Sequence, residues 1–233
     1  MTNSSTYTST PVEMLGIDAR ATFITRTYTH LFGAIIGFVL VEMFFFTTGL
    51  AEVMARAMLG TSWLLVLGGF VLVNWLASRA AHQSRSLGTQ YLALGGFVVA
   101  EAVIFVPLLF IAQSYAQGGV IESAATVTLL GFGALTAIAF WTRKDFSFLG
   151  ALLRWVGILA LVAIVAAVLF GFELGTWFSV AMIGVAGAAI LFDTSNVIHH
   201  FPQDRYVAAA LTLFASVALM FWYVLRLFMG SRD

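Results

Sequence analysis

The sequence predicts an all-α protein that crosses a lipid bilayer seven times, and composition, span length and loop length lead to this class. Of the 233 residues, 61% are hydrophobic and 9% are charged, whereas about a quarter of the residues of a soluble domain are charged. A soluble fold of this size cannot bury so much apolar surface, but a bilayer accepts it. Seven apolar stretches each approach the length of about 20 residues that one helical crossing needs, and short loops join them.

The predicted spans follow one another without a long insertion, so we expect one membrane domain over residues 23–233. Sequence neighbours should pack antiparallel, which leaves the seventh helix unpaired and makes it a candidate for the central element. Residues 1–22 are polar and rich in Ser and Thr and lack the features of a cleavable signal, so we expect a mostly disordered tail. The predicted spans are Tyr28–Leu50, Ser62–Ser78, Tyr91–Ser114, Ser123–Thr142, Leu149–Phe170, Leu174–Ile198 and Tyr206–Phe228.

The distribution of Lys and Arg predicts the orientation, because cytoplasmic loops are enriched in both residues. One side of the membrane has only Arg56 and Arg232, with Arg226 near the end of the last span. We therefore expect the N-terminal tail to be cytoplasmic and, after seven crossings, the C-terminus to lie outside. The richer side collects Arg20, Arg26, Arg79, Arg85, Arg143, Lys144 and Arg205.

Several function classes receive no support from the sequence. A net charge of zero gives no basic surface for nucleic acid, and the absence of cysteine excludes disulfides and thiolate metal sites. His199, His200 and Asp204 suggest a metal site, but adjacent histidines diverge on a helix and no third ligand has useful spacing, so surface histidines are favoured. No HExxH, GxSxG or P-loop motif is present. We therefore predict a protein that is not an enzyme and holds no cofactor.

Three carboxylates fall inside predicted spans, where an ionised group costs about 2.5–3.5 kcal/mol or more at the centre. Asp193 lies five residues before the end of the sixth span, about 7–8 Å deep by helical rise, and Asn196 is on nearly the same face. Asp193 is either a proton-sensitive gate or cation site, or a structural acid that pairs with Arg79 or hydrogen-bonds within the bundle. The other two are Glu42, for which no partner can be named, and Glu101.

The remaining polar candidates could line a pathway through the bundle. Glu101 lies in the middle of the third span, and Thr212, Ser216 and Tyr223 share one face of the seventh. The alternative role for Glu101 is an interhelical hydrogen bond, and that for the hydroxyl groups is a bond to their own backbone or to a neighbouring helix. The residues alone do not decide between a polar pathway and these structural hydrogen bonds.

Three segments resemble, in order and spacing, the bacterial branch of the Bax inhibitor-1 family. They are residues 23–33, entering the first span, residues 142–150, between the fourth and fifth, and residues 190–199, which include Asp193. Residues 87–109 are similar to the third span of that family. The resemblance implies six helices around a central seventh, in the bacterial inner membrane. It also implies a pH-sensitive calcium leak channel, with calcium as transported ion, or a partner of a membrane-bound ATP-dependent protease.

In that family the leak is attributed to two aspartates, one on each of the last two spans, and to an arginine of the second span. By resemblance Asp193 is the first aspartate and Arg79 the best match for the arginine, but Ser216 stands where the second aspartate is expected. Calcium prefers six to eight oxygen ligands, several of them charged, so Asp193 with Ser216 is a weak calcium site. A cation leak gated near Asp193 is the first expectation, and a non-conducting modulator of a membrane protease is the alternative.

Overall fold

The structure, a computed structural model, describes residues 10–84, 86–115 and 119–230. These residues form eight α-helices and a 3₁₀ turn at Val12–Met14. Seven of the helices are long and apolar enough to cross a bilayer, which agrees with the predicted fold class. The helices are α1 Ile17–Thr47, α2 Leu50–Leu59, α3 Trp63–Gln83, α4 Leu87–Tyr115, α5 Val120–Thr142, α6 Leu149–Phe170, α7 Gly175–His199 and α8 Tyr206–Gly230.

The last helix, α8, forms the centre of the bundle. Most of its length is buried, and it packs against α1, α3, α4, α5 and α7. Helix α6 departs from the expected ring of six, because it packs on α7 and α3 and its backbone does not approach α8. The gap that this leaves between α6 and α8 holds the cavity described below.

The short helix α2 was not expected from the sequence. At 10 residues it is about 15 Å long, half the thickness of the hydrocarbon core of a bilayer. It turns off the end of α1 at Gly49, whose φ of 77° favours glycine. Ala51 and Ala55 pack on Val106 of α4, so α2 closes one end of the bundle.

The described part of the predicted tail is folded, which corrects our expectation for residues 10–22. Val12 is fully buried in the core, and its N–H donates to the carbonyl of Phe201 at 3.0 Å. Helix α1 already begins at Ile17, eleven residues before the predicted start of the first span at Tyr28. The apolar side chain of Val12 anchors this segment beside the α7–α8 loop. Residues 1–9 lie outside the described residues.

Candidate functional site

Asp193 lies inside the bundle where α7 meets the central helix. Its side chain is only 5% exposed, and Oδ2 accepts a 2.5 Å hydrogen bond from the Oγ of Ser216. Ser216 is itself buried on α8. The structure thus brings together the acid and the hydroxyl that the sequence placed on different spans, and one hydrogen bond joins α7 to α8.

Of the two structural roles that the sequence left open for Asp193, the hydrogen bond within the bundle is formed and the pair with Arg79 is not. The Arg79 guanidinium lies over the ring of Trp75, 5.2 Å from its centroid, and Nε donates to Gln83 at 3.1 Å. Arg79 is exposed on α3, so its rotation about the helix axis directs it away from the bundle. Among the described residues, no Lys, Arg or His forms an ion pair with Asp193.

The segment that follows Asp193 holds the α5–α6 loop in place. Ser195 Oγ accepts the N–H of Phe146 at 2.9 Å. Asp145 accepts the N–H of Ser147 at 2.8 Å through Oδ1, and its Oδ2 lies 3.2 Å from the Nε2 of His200. The N–H of Ser147, and then the His200 ring, hold the pKa of Asp145 below its ordinary value. Residues 142–150 and 190–199, two segments that carried the family resemblance, therefore meet in space.

A cavity of about 720 Å³ lies between α6 and the central helix. Ser216, Glu101 and Tyr223 all line it, so three of the predicted site residues share one space. The cavity reaches the α6–α7 loop at one end and Ser216 at the other. Its polar lining consists of Asn74, Glu101, Glu173, Ser216, Tyr223 and Arg226.

Asn196 and Thr212 lie away from this cavity lining. The half-buried Asn196 accepts the N–H groups of His200 and Phe201 through its backbone carbonyl, where α7 ends. Thr212 donates to the carbonyl of Ala208 at 3.1 Å, which is the backbone bond foreseen as the alternative role for these hydroxyls. Tyr223 packs edge-on against the ring of Phe178.

Two residues that the sequence did not single out as site residues, His82 and Arg205, lie where the end of α3 meets α8. The Nε2 of His82, on the last turn of α3, lies 3.3 Å from the Oγ1 of Thr212, one turn from Ser216 along α8. Arg205, just before α8, donates to the carbonyls of Ala81 and His82 at the end of α3. Arg205 is more than 120 residues from the end of α3 along the chain, so the sequence carried no local signal for this contact.

The metal interpretation of the two histidines finds no support in the geometry. His199 Nδ1 lies 3.0 Å from the carbonyl of Ser195, while His200 faces Asp145. No group of three or more His, Cys, Asp or Glu side chains suited to a metal ion occurs within the described ranges.

Comparison with known proteins relates most of the chain to one family. The family described as inhibitor of apoptosis-promoting Bax1 matches residues 20–233. The Modulator of FtsH protease YccA of Escherichia coli K12 is 31% identical over 172 residues, 73% of this chain and 76% of YccA. Protein LIFEGUARD 4 of Arabidopsis thaliana is 31% identical over 159 residues, 65% of this chain and 61% of LIFEGUARD 4, so under two thirds of that relative is covered.

These matches agree with the residues that the structure brings together. The family match includes both the α5–α6 loop and the Asp193 segment that it contacts. The names of these relatives describe an inhibitor and a modulator rather than an enzyme. With seven helices able to cross a bilayer, the chain is a membrane protein that belongs to the Bax inhibitor-1 family.

Proposed function

We propose that this protein is a cation leak whose opening depends on the protonation of Asp193. The observation that carries the proposal is the buried hydrogen bond from Ser216 to Asp193, beside a mainly apolar cavity that Ser216 lines together with Glu101 and Glu173. Cations would enter from the end of the bundle that holds Glu173 and pass Glu101 before they reach this bond. By the Lys and Arg distribution, that end faces away from the cytoplasm.

Gating follows from the cost of a buried charge. A protonated Asp193 can remain between α7 and α8 with its hydrogen bond to Ser216. An ionised Asp193, with no cationic side chain paired to it among the described residues, favours any rearrangement that brings in water or a cation. Separation of α7 from α8 at Ser216 would supply both and connect the cavity to the side occupied by Thr212 and His82.

The test is calcium and sodium flux into liposomes that contain the purified protein, measured at acidic and at alkaline pH. Flux through the unaltered protein should rise with pH. Asp193→Asn keeps the shape but cannot ionise, so its flux should stay low at every pH. Asp193→Asn loses the charge-assisted contact between the ionised carboxylate and a passing cation, which is worth about 1.5–3 kcal/mol. Its flux should therefore be lower by about tenfold or more.

The control is Asp18→Asn, which removes an exposed carboxylate at the start of α1 and should leave flux and its pH dependence unchanged. Ser216→Asp supplies a second carboxylate and should raise calcium flux relative to sodium, because calcium prefers several charged oxygens. Equal flux through the unaltered protein and Asp193→Asn at alkaline pH would rule the proposal out.

A second candidate function is modulation of a membrane-bound ATP-dependent protease in the inner membrane. It is favoured by the loss of the second carboxylate at Ser216 and by the names of two Escherichia coli relatives, one a modulator of FtsH protease and one an inner membrane protein. Met14 and Ile17 are 71% and 88% exposed at the N-terminal end of α1, which offers an apolar contact before the start of the first span that the sequence predicts at Tyr28.

The test of this second function is affinity capture from membranes of the source cell. Met14→Ala combined with Ile17→Ala should lose the protease while the protein stays folded, because both side chains are exposed. Asp193→Asn should retain the protease. Capture that is unchanged by the double substitution would exclude this surface.

A further inference from the structure

A second cavity, of about 470 Å³, lies on the opposite side of the central helix. It is formed by α1, α4, α5 and α8, and its volume falls within the range of about 300–1,000 Å³ that ligand sites occupy. Phe105 of α4 lines both cavities and stacks on Phe221, so aromatic rings separate this cavity from the one that ends at Ser216. The flux proposal makes no use of it.

Two buried polar side chains in the wall of this cavity have no hydrogen-bond partner. Glu42 is 7% exposed, and neither of its carboxyl oxygens is bonded to any described residue. Thr128, 2% exposed, has a hydroxyl that is likewise unpaired. A buried polar group without a partner is costly, and more so when it is charged, so a ligand that binds both groups would be strongly favoured.

The four threonines of α5 do not behave alike, since the hydroxyls of Thr128 and Thr136 do not form the intrahelical bond that the other two form. Thr126 and Thr142, in the same helix α5, donate to the carbonyl four residues earlier at 2.8 Å, which is the usual way for a helical threonine to satisfy its hydroxyl. Thr128 does not form this bond. Its hydroxyl is therefore available to a group in the cavity.

The cavity opens sideways between α1 and α5, whose backbones do not approach each other. The rim of this opening carries exposed apolar side chains of Val39, Met43 and Leu129. Glu42 is five residues before the end of α1, about 7–8 Å along the helix axis. The carboxylate therefore lies near one end of this helix and not at its middle.

The charges of the lining select the type of ligand. Glu122 adds a second carboxylate at the rim, and the lining contains no Lys or Arg. The other lining groups are mainly aromatic and aliphatic, so a small metal ion would lack the six to eight oxygens that calcium requires. A ligand with one N–H cation and an apolar chain matches both the carboxylate and the apolar wall.

We propose that this cavity is a binding site for a single-chain lipophilic ammonium compound that enters from the bilayer. The ammonium group donates to the Glu42 carboxylate and to the Thr128 hydroxyl. The alkyl chain lies along Phe38 and Phe105 and leaves through the opening between α1 and α5. The site is independent of the gate at Asp193.

The probe is radiolabelled dodecylamine, with the full-length protein in nanodiscs of zwitterionic lipid and scintillation proximity as the readout. We expect saturable binding at about one molecule per chain. Unlabelled dodecylamine should displace the probe at about tenfold lower concentration than dodecanol, which has the same chain and no charge. Equal displacement by the two compounds would overturn the proposal, because it would show that the carboxylate is not used.

Three variants locate the site. Glu42→Gln should weaken dodecylamine binding about tenfold, while Glu101→Gln, which alters the buried carboxylate of the other cavity, should leave it unchanged. If Glu42→Gln does not fold, the second variant is Ala125→Phe. It fills the cavity from α5, leaves the Glu42 carboxylate in the protein, and should abolish binding. Binding that survives Ala125→Phe, or that falls equally in Glu101→Gln, would contradict the assignment.

Discussion

At the scale of single residues, Asp193 of α7 has one hydrogen-bond partner among the described residues, the hydroxyl of Ser216. Each partner is buried, so loss of either leaves a polar group in a low-dielectric interior, where it costs about 1–3 kcal/mol. The contact thus depends on the spacing of α7 and α8.

The sequence could identify Asp193 and Ser216 but could not assign the partner of Asp193. An acid inside an apolar span is conspicuous because lipid penalises it, and helical spacing put Ser216 on a polar face. The position of Arg79 depends on the rotation of α3 about its axis, and an apolar helix exposed on several sides carries little information about that rotation. The sequence therefore could not decide between a pair with Arg79 and a hydrogen bond within the bundle.

Asp145 gives a pH-dependent prediction at this scale. Its pKa is below the ordinary value of 3.8, mainly because the ionised carboxylate accepts the N–H of Ser147. The stabilisation is therefore complete above that ordinary value and is lost as the pH falls through the lower folded-state value. We expect the Tm of the unaltered protein to exceed that of Asp145→Asn near neutral pH, and the difference to shrink in strong acid.

The control for Asp145 is the same comparison in a His200→Ala background. The difference in Tm should become smaller but persist, because His200 is a lesser cause of the low pKa than Ser147. A difference that stays constant from neutral pH into strong acid would show that the charge of Asp145 does not stabilise the fold.

At the scale of elements, the long helices were predictable and their ends were not. The seven spans follow from apolar length alone, whereas α2 and the first turns of α1 did not. Helix α2 has two buried alanines and one exposed Glu52–Arg56 ion pair, a pattern too short to separate from a loop. Residues 10–16 are held by the single side chain of Val12 in the core. One buried residue gives no periodic pattern of apolar residues in the sequence.

The prediction at this scale concerns the contact between Gly150, at the start of α6, and Phe192 of α7. A Cβ placed on Gly150 would lie 2.8 Å and 2.9 Å from two ring atoms of Phe192, so Gly150→Ala forces the ring to move. Gly157, two turns later in α6, has nothing within 4 Å of such a Cβ. Both substitutions add one methyl group to the same helix, so their difference isolates the contact with Phe192.

We expect Gly150→Ala to be less stable than Gly157→Ala by about 1–3 kcal/mol, the usual cost of overpacking. The measurement is reversible unfolding in mixed micelles. Phe192→Leu should remove most of the difference, because the smaller side chain leaves room for the methyl group. Equal stability of the two alanine variants would mean that the Phe192 ring moves without cost.

At the scale of the whole molecule, the central position of α8 explains why two cavities can exist in so small a bundle. Five spans pack on α8, but α6 stands off from it and α1 does not meet α5. Each gap opens a cavity beside one face of the same helix. The sequence predicted that the last span would be central, but it could not predict the gaps, because they depend on which neighbours fail to touch.

The orientation of the bundle can be tested cleanly because the chain contains no cysteine. Lys144, in the α5–α6 loop, and Glu173, in the α6–α7 loop, are both exposed and lie at opposite ends of α6. The excess of Lys and Arg on the side of Lys144 predicts that this side is cytoplasmic. In intact cells, a membrane-impermeant maleimide should therefore label Glu173→Cys and leave Lys144→Cys unlabelled until the membrane is opened. The reverse labelling pattern would invert the topology. The end of the cavity near Glu173 would then face the cytoplasm, and cations would have to enter the proposed leak from inside the cell.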